Sequence, residues 1–302
     1  MIRVEHLTKR FDGFVALNDI SCNIQRGCIY GMVGSNGAGK STFLRLLSGI
    51  YQADGGSVTL DDQPVWENPE VKMRIGFVPD ELYFLSGANM ERMAALQANT
   101  HPTFDAKRYR ELAAAFRLDV KKPLSQFSKG MRRQAALLMT IACRPDYLFF
   151  DETFDGLDPV MRKLVKSLIC QDVAERGATA IITSHSLREL EDTCDQLALL
   201  HRGGLVFERD IGDLKTSLLK VQVAFSTNFS REDFPELDVL HFVRHGSVVS
   251  LIVRGEREEV EAALKARRPL LLDLLPLTLE EVFTYEMEAL GYSFEDLWEG
   301  IG

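Results

Sequence analysis

The sequence predicts an α/β protein: a mainly parallel sheet core with some antiparallel strands and a helical subdomain, followed by a small α+β domain. Three observations carry this. Strand-sized apolar runs alternate with segments of helical spacing over residues 1–218. The interval from about 87 to 145 is helical throughout. Beyond about residue 219 period-two alternation returns.

In chain order, 2–7, 16–24 and 28–33 read as strands, the last a short apolar run ending in Gly. A Gly-rich loop follows, then helical spacing over 42–47 that stops at Gly49, a C-cap residue. Residues 58–60 and 75–78 are further strands. The helical subdomain holds amphipathic segments at 90–98, 105–116 and 130–142, punctuated by Pro102 and Pro123. Strands return at 147–150 and 180–183, helices at 159–174 and 187–193, and strands at 197–200 and 205–207. Such alternation implies parallel strands covered on both faces. In the last domain, 219–302, strands are expected at 221–225, 239–243, 248–253 and 270–275, and helices at 256–266 and 279–290.

Composition bounds the function. The net charge of −9 argues against a nucleic-acid partner, whose phosphates demand basic surface. No run approaches the roughly 20 apolar residues that span a bilayer. The N-terminus alternates like a strand and carries charge early, unlike a signal peptide, so a cytosolic location is expected. Five cysteines without a CxxC pair read as reduced thiols.

Gly34-Ser35-Asn36-Gly37-Ala38-Gly39-Lys40-Ser41-Thr42 fits a phosphate-binding loop. Its glycines let backbone N–H groups converge on anionic oxygens, and the helix that follows adds its positive end. Lys40 neutralises β- and γ-phosphates, and the Ser41 hydroxyl is a ligand for Mg²⁺. A second site is the apolar strand 147–150 ending in Asp151-Glu152. Ligands of open α/β sheets bind beyond the carboxyl ends of strands, and adjacent acids there are costly without a cation. Asp151 suits the Mg²⁺ shell, and Glu152 suits polarisation of an attacking water.

The order of motifs resembles the nucleotide-binding subunit of ATP-binding-cassette (ABC) transporters over nearly all of residues 1–210. Phe127-Ser128-Lys129-Gly130-Met131 resembles the family's signature motif, Thr153-Phe154-Asp155-Gly156-Leu157-Asp158 its D-loop, and Ile181-Ile182-Thr183-Ser184-His185 its switch strand. The resemblance implies a RecA-like P-loop NTPase core that hydrolyses ATP with Mg²⁺. It implies that Ser128 and Gly130 approach the γ-phosphate held by a second cassette, that His185 contacts the γ-phosphate, and that Phe11 stacks on adenine. It also implies two partners, a second ATPase subunit and a separate transmembrane permease, and a place on the cytoplasmic face of the membrane. The segment 276–286 resembles the tail of exporter-type subunits. Departures are Lys129 for the first signature Gly, Met131 for Gln, Thr153 for Pro, and Asp80 for the Gln that ends Ile75-Gly76-Phe77-Val78-Pro79-Asp80. Asp80 is expected to approach the Mg²⁺, since a carboxylate is a good hard-cation ligand. The alternatives are a soluble cassette ATPase unlinked to transport and a degenerate cassette that senses ATP. The single phosphate loop without a long coiled coil opposes the first; Lys40, Asp151, Glu152 and His185 oppose the second.

Overall fold

Alternation of buried and exposed residues from Ile2 to Ile24 makes a long hairpin, β1 (Ile2–Phe11) and β2 (Phe14–Ile24). Bulges shift its register after Val4, and His6 and Asp19 take positive φ there, pairing with each other at 2.7 Å. The structure is a computed structural model and describes residues 1–226, 229–289 and 291–292.

An all-buried strand, β3 (Ile29–Val33), leads into α1 (Lys40–Leu47). Then come β4 (Gly55–Leu60), β5 (Gln63–Pro64), α2 (Pro69–Lys72) and β6 (Ile75–Val78). The helical subdomain is α3 (Met90–Thr100), α4 (Ala106–Ala115) and α5 (Lys129–Ala142). Asn89, Asp105 and Ser128 cap these three helices with side-chain oxygens, which sets where each begins. The chain returns through β7 (Tyr147–Asp151), α6 (Pro159–Arg176), β8 (Thr179–Ser184), α7 (Leu187–Glu191), β9 (Gln196–His201) and β10 (Gly204–Asp210). Asp158 caps α6 with Pro159 at its first position, and Gly177 ends it in the left-handed conformation.

Two sheets result. Strands β2-β1-β4-β5 form an antiparallel sheet, and β10-β9-β3-β8-β7-β6 form a six-stranded sheet whose pairs from β9 to β6 are parallel. One core joins them: Leu7 and Leu17 of the first sheet, Tyr30 and Phe149 of the second, and Phe43 and Leu47 of α1. Each such side chain contributes about 1.5–3 kcal/mol by leaving water, so α1 is fixed from both sides.

The chain divides into two compact units between Glu208 and Arg209. The sequence places a boundary at 218/219, and α8 (Ile211–Ser217), just before it, packs on elements of the second unit. That unit holds β11 (Leu218–Ala224), β12 (Asp238–His245), β13 (Val248–Arg254), α9 (Arg257–Ala266), β14 (Leu271–Leu275) and α10 (Leu279–Ala289). Its antiparallel order is β12-β13-β11-β14, over a core of Val221, Leu251, Val253, Val260 and Leu264. The last residue of the helix expected there, Leu290, lies outside the described residues.

Candidate functional site

Parallel register brings three chain-distant motifs to one edge. Val33, which ends β3, lies opposite Ser184 of β8, and Asp151 of β7 lies opposite Thr183. Residues 34–42, Asp151-Glu152 and His185 therefore emerge together at the carboxyl ends of neighbouring strands.

Residues 34–39 turn tightly into α1. Gly39 has φ +108°, and a Cβ there would stand 2.6 Å from Leu17 and 2.7 Å from the Ala16 carbonyl, so only glycine fits. Asn36 and Gly37 are exposed, Ala38 and Lys40 buried, and Ser35, Ser41 and Thr42 half-buried. The Lys40 ammonium bends back over the loop and donates to the carbonyls of Gly34 (2.6 Å) and Ser35 (3.2 Å). It also pairs with Glu152 Oε1 at 3.0 Å.

Glu152 stands at φ +47°, uncommon for a residue with a side chain, and its N–H donates to Thr183 Oγ1 at 3.1 Å. The second carboxylate oxygen, Oε2, lies 3.0 Å from His185 Nδ1, and Asp155 Oδ2 lies 3.9 Å from the same nitrogen. Lys40, Glu152 and His185 are thus one connected set. Asp151 is fully buried. Its Oδ1 accepts from Thr183 Oγ1 at 2.9 Å, while Oδ2 has no hydrogen-bond partner. Burial pushes its carboxyl above the ordinary range; the Ser41 and Thr183 hydroxyls oppose this, and the Glu152 charge adds to it. A buried acid with an orphaned oxygen beside Ser41 fits a small hard cation, with Ser41 and Asp151 as its protein ligands.

Other expected residues lie around this centre. Ser128 caps α5 by accepting from the Met131 N–H at 3.2 Å. A Cβ on Gly130 would meet the Gly156 carbonyl at 3.0 Å, so the start of α5 and the loop after Glu152 approach closely. Phe11 is 38 % exposed at the hairpin tip, edge-on to Tyr51 with centroids 5.4 Å apart. It is a surface ring rather than a core residue.

Asp80, expected to approach the metal beside Ser41 and Asp151, stands in an ion pair with α5. Its Oδ1 accepts from Arg133 Nη2 at 2.8 Å, because Arg133 is a buried cation that needs a counter-charge. Sequence reasoning gave Thr183, Arg133 and Tyr51 no role of their own. Arg133 falls in phase with buried Leu137 and Ile141 on α5, a visible signal, whereas Thr183 sits in β8 as Thr179 does and gave none. Tyr51 follows α1 in an irregular stretch and gave none.

Comparison with known proteins gives the same picture. The family model "ABC transporter" matches residues 17–155. The chain is 32 % identical to the ABC transporter ATP-binding protein YtrB of Bacillus subtilis (strain 168), covering 94 % of this chain and 97 % of that protein. It is 31 % identical to the daunorubicin/doxorubicin resistance ATP-binding protein DrrA of Streptomyces peucetius, covering 72 % and 67 %. Among solved structures, an ATP-binding subunit of an ABC transporter superposes with TM-score 0.66 at 23 % identity, over 71 % of this chain and 92 % of that one. The cassette MJ0796, solved as a dimer in a post-hydrolysis state bound to ADP and Pi, gives 0.63 at 19 %, over 70 % and 99 %. Phosphate loop, buried acid, strand-end histidine, fold and full-length similarity converge: the chain belongs to the ATP-binding subunits of ABC transporters.

Proposed function

We propose that this subunit hydrolyses ATP to ADP and phosphate and thereby drives transport, in the export direction, through a separate membrane permease. It works at the cytoplasmic face, and its catalytic site is completed by a second cassette. The observation that carries the hydrolytic reading is the set Lys40–Glu152–His185 at 3.0 Å and 3.0 Å, with the buried acid Asp151 next to Glu152 in the chain. A cassette that only sensed nucleotide would have no use for a carboxylate held at one oxygen by the Lys40 ammonium and at the other by the His185 ring. The export direction rests on likeness to the drug-resistance relative DrrA. Among the described residues no helix is long and apolar enough to cross a membrane; the separate permease is read from likeness to ATP-binding subunits of ABC transporters.

Phosphoryl transfer leaves the protein little covalent work; positioning and charge neutralisation dominate. Residues 34–42 hold the phosphates, and Lys40 exchanges Glu152 for β- and γ-oxygens when the nucleotide enters. That exchange frees a Glu152 oxygen to orient the attacking water in line with the γ-phosphorus. As the new P–O bond forms, the bond to the β-phosphate oxygen breaks and ADP leaves. His185 donates to the γ-phosphate, Ser128 and Gly130 of the second cassette close over it, and Phe11 stacks on adenine. Ser41 and Asp151 would hold a Mg²⁺, which would supply charge neutralisation on the phosphates.

Glu152→Gln tests the assignment. It keeps the shape of the site and removes the charge that acts on water. Turnover is expected to fall by about 10²–10⁴-fold, with ATP binding retained and an ATP-bound dimer trapped. Wild-type phosphate release from this variant would sink the proposal.

A further inference from the structure

The loop after β6 carries Asp80, where the pattern the resemblance implies has Gln, and the structure joins it to α5. Arg133 Nη2 donates to Asp80 Oδ1 at 2.8 Å, and Arg133 Nη1 donates to the Pro79 carbonyl at 3.1 Å. One guanidinium thus grips two successive residues of the loop. The partners are unequal: the Asp80 side chain is 51 % exposed and that of Arg133 only 2 %. Arg133 heads the largest fully buried side chains among the described residues, and its Nε is buried without a partner. It lies one turn into the helix that Ser128 caps.

Burial of a guanidinium is tolerable only beside an anion. A glutamine would offer Arg133 a neutral oxygen and leave its charge uncompensated, whereas aspartate supplies both the hydrogen bond and the charge. The two positions are therefore linked: aspartate at 80 answers the buried arginine at 133.

We infer that Asp80 is a positioning residue: through Arg133 it ties the loop after β6 to the first turn of α5, and so sets where Ser128 and Gly130 stand. The tie itself is independent of the proposed function; its consequence at the nucleotide of a second cassette rests on that reading.

The test uses the full chain with Glu152→Gln as the parent, into which Asp80→Gln and Asp80→Gln/Arg133→Met are introduced. Asp80→Gln strands the buried cation, and the second change removes that cation at similar volume. Amide hydrogen exchange across residues 129–133, measured without nucleotide, is expected to rise about tenfold in Asp80→Gln and to return to within about threefold of the parent in the double variant. The ATP concentration for half-maximal association follows the same pattern, while the Mg²⁺ concentration for half-maximal nucleotide binding stays within about twofold throughout. Unchanged exchange in Asp80→Gln overturns the inference. So does a tenfold rise in the Mg²⁺ requirement that Arg133→Met leaves in place, because that result makes Asp80 a metal ligand. Failure of the parent to associate with ATP refutes the shared catalytic site instead, and the exchange experiment still decides the tie.

Discussion

Asp151 ends a strand whose five residues are all buried, and one of its carboxylate oxygens has no partner. Burial raises its pKa above the ordinary carboxylate range, so the folded chain holds the proton more tightly than the unfolded one. The sign follows. Well below the unfolded-state pKa both states are protonated and the acid costs nothing; as pH rises past it, the unfolded state ionises first and folding loses stability progressively up to the raised pKa. Asp151→Asn is therefore expected to stabilise the nucleotide-free chain at pH 7 by about 1–2 kcal/mol, the size of an unsatisfied buried polar group. That is a rise in Tm of several degrees, roughly 2–4 °C per kcal/mol at this size, and it disappears well below the unfolded-state pKa. The same variant loses the additional stabilisation that Mg²⁺ gives the ATP-bound protein. Thermal melts across pH, with and without Mg²⁺-ATP, check both halves; a neutral-pH Tm below wild type contradicts the account. Such a trade of stability for function is expected where a site stores an uncompensated charge. Asp151 was legible from sequence because adjacent acids at the end of an apolar run have few structural uses. Thr183, whose hydroxyl joins the Asp151 carboxylate to the Glu152 N–H, was not, because a threonine in a strand is ordinary.

Elements with strong periodicity or strong caps were legible, and short ones were not. Helices α3, α4 and α5 could be placed from their spacing, and their starts coincide with Asn89, Asp105 and Ser128, residues that accept N–H bonds from the first turn. The two-residue β5 and four-residue α2 are too short for any period to register, and they hold their shape through β4 pairing and the Asn68 cap. Ser128 illustrates how one element serves two ends. Its hydroxyl caps α5, and in the proposed mechanism the same hydroxyl faces the phosphate of a second cassette. Ser128→Ala removes both and costs about 1 kcal/mol of stability. Ser128→Asp keeps the cap and sets a negative charge against phosphate. Its melting temperature is expected at or above that of wild type while ATP-driven association and turnover are lost. Retention of turnover in Ser128→Asp would leave α5 a purely structural helix. Comparison of the two variants by calorimetry and phosphate release separates the roles.

At the scale of the whole molecule, the sheet order β10-β9-β3-β8-β7-β6 could not be read from sequence, since strand-length runs carry no record of their neighbours. What sequence supplied was the certainty that phosphate loop, acids and histidine must meet, and parallel pairing of β3, β8 and β7 is the topology that brings them to one edge. Ser128 lies elsewhere in the order, at the start of α5, and reaches phosphate in the proposed mechanism only across a pair of chains. A head-to-tail pair with twofold symmetry makes two identical composite sites, each built from Lys40 and Glu152 of one chain and Ser128 of the other. This geometry predicts complementation between inactive proteins. In a mixture of Ser128→Asp and Glu152→Gln chains, the mixed dimer has one site with intact Glu152 from the first and intact Ser128 from the second, and one site with both defects. Mixed dimers have one competent site of two, so activity should recover toward a ceiling of roughly a quarter of wild type, lowered by trapped Glu152→Gln homodimers and by the weaker association of Ser128→Asp. Recovery should follow the product of the two concentrations at dilution, as expected for a bimolecular assembly. Phosphate release from the mixture no greater than the sum of the two variants alone would mean that each chain completes its own site. A quarter-scale recovery would require the site to be shared, because neither variant chain contains a complete set of working groups.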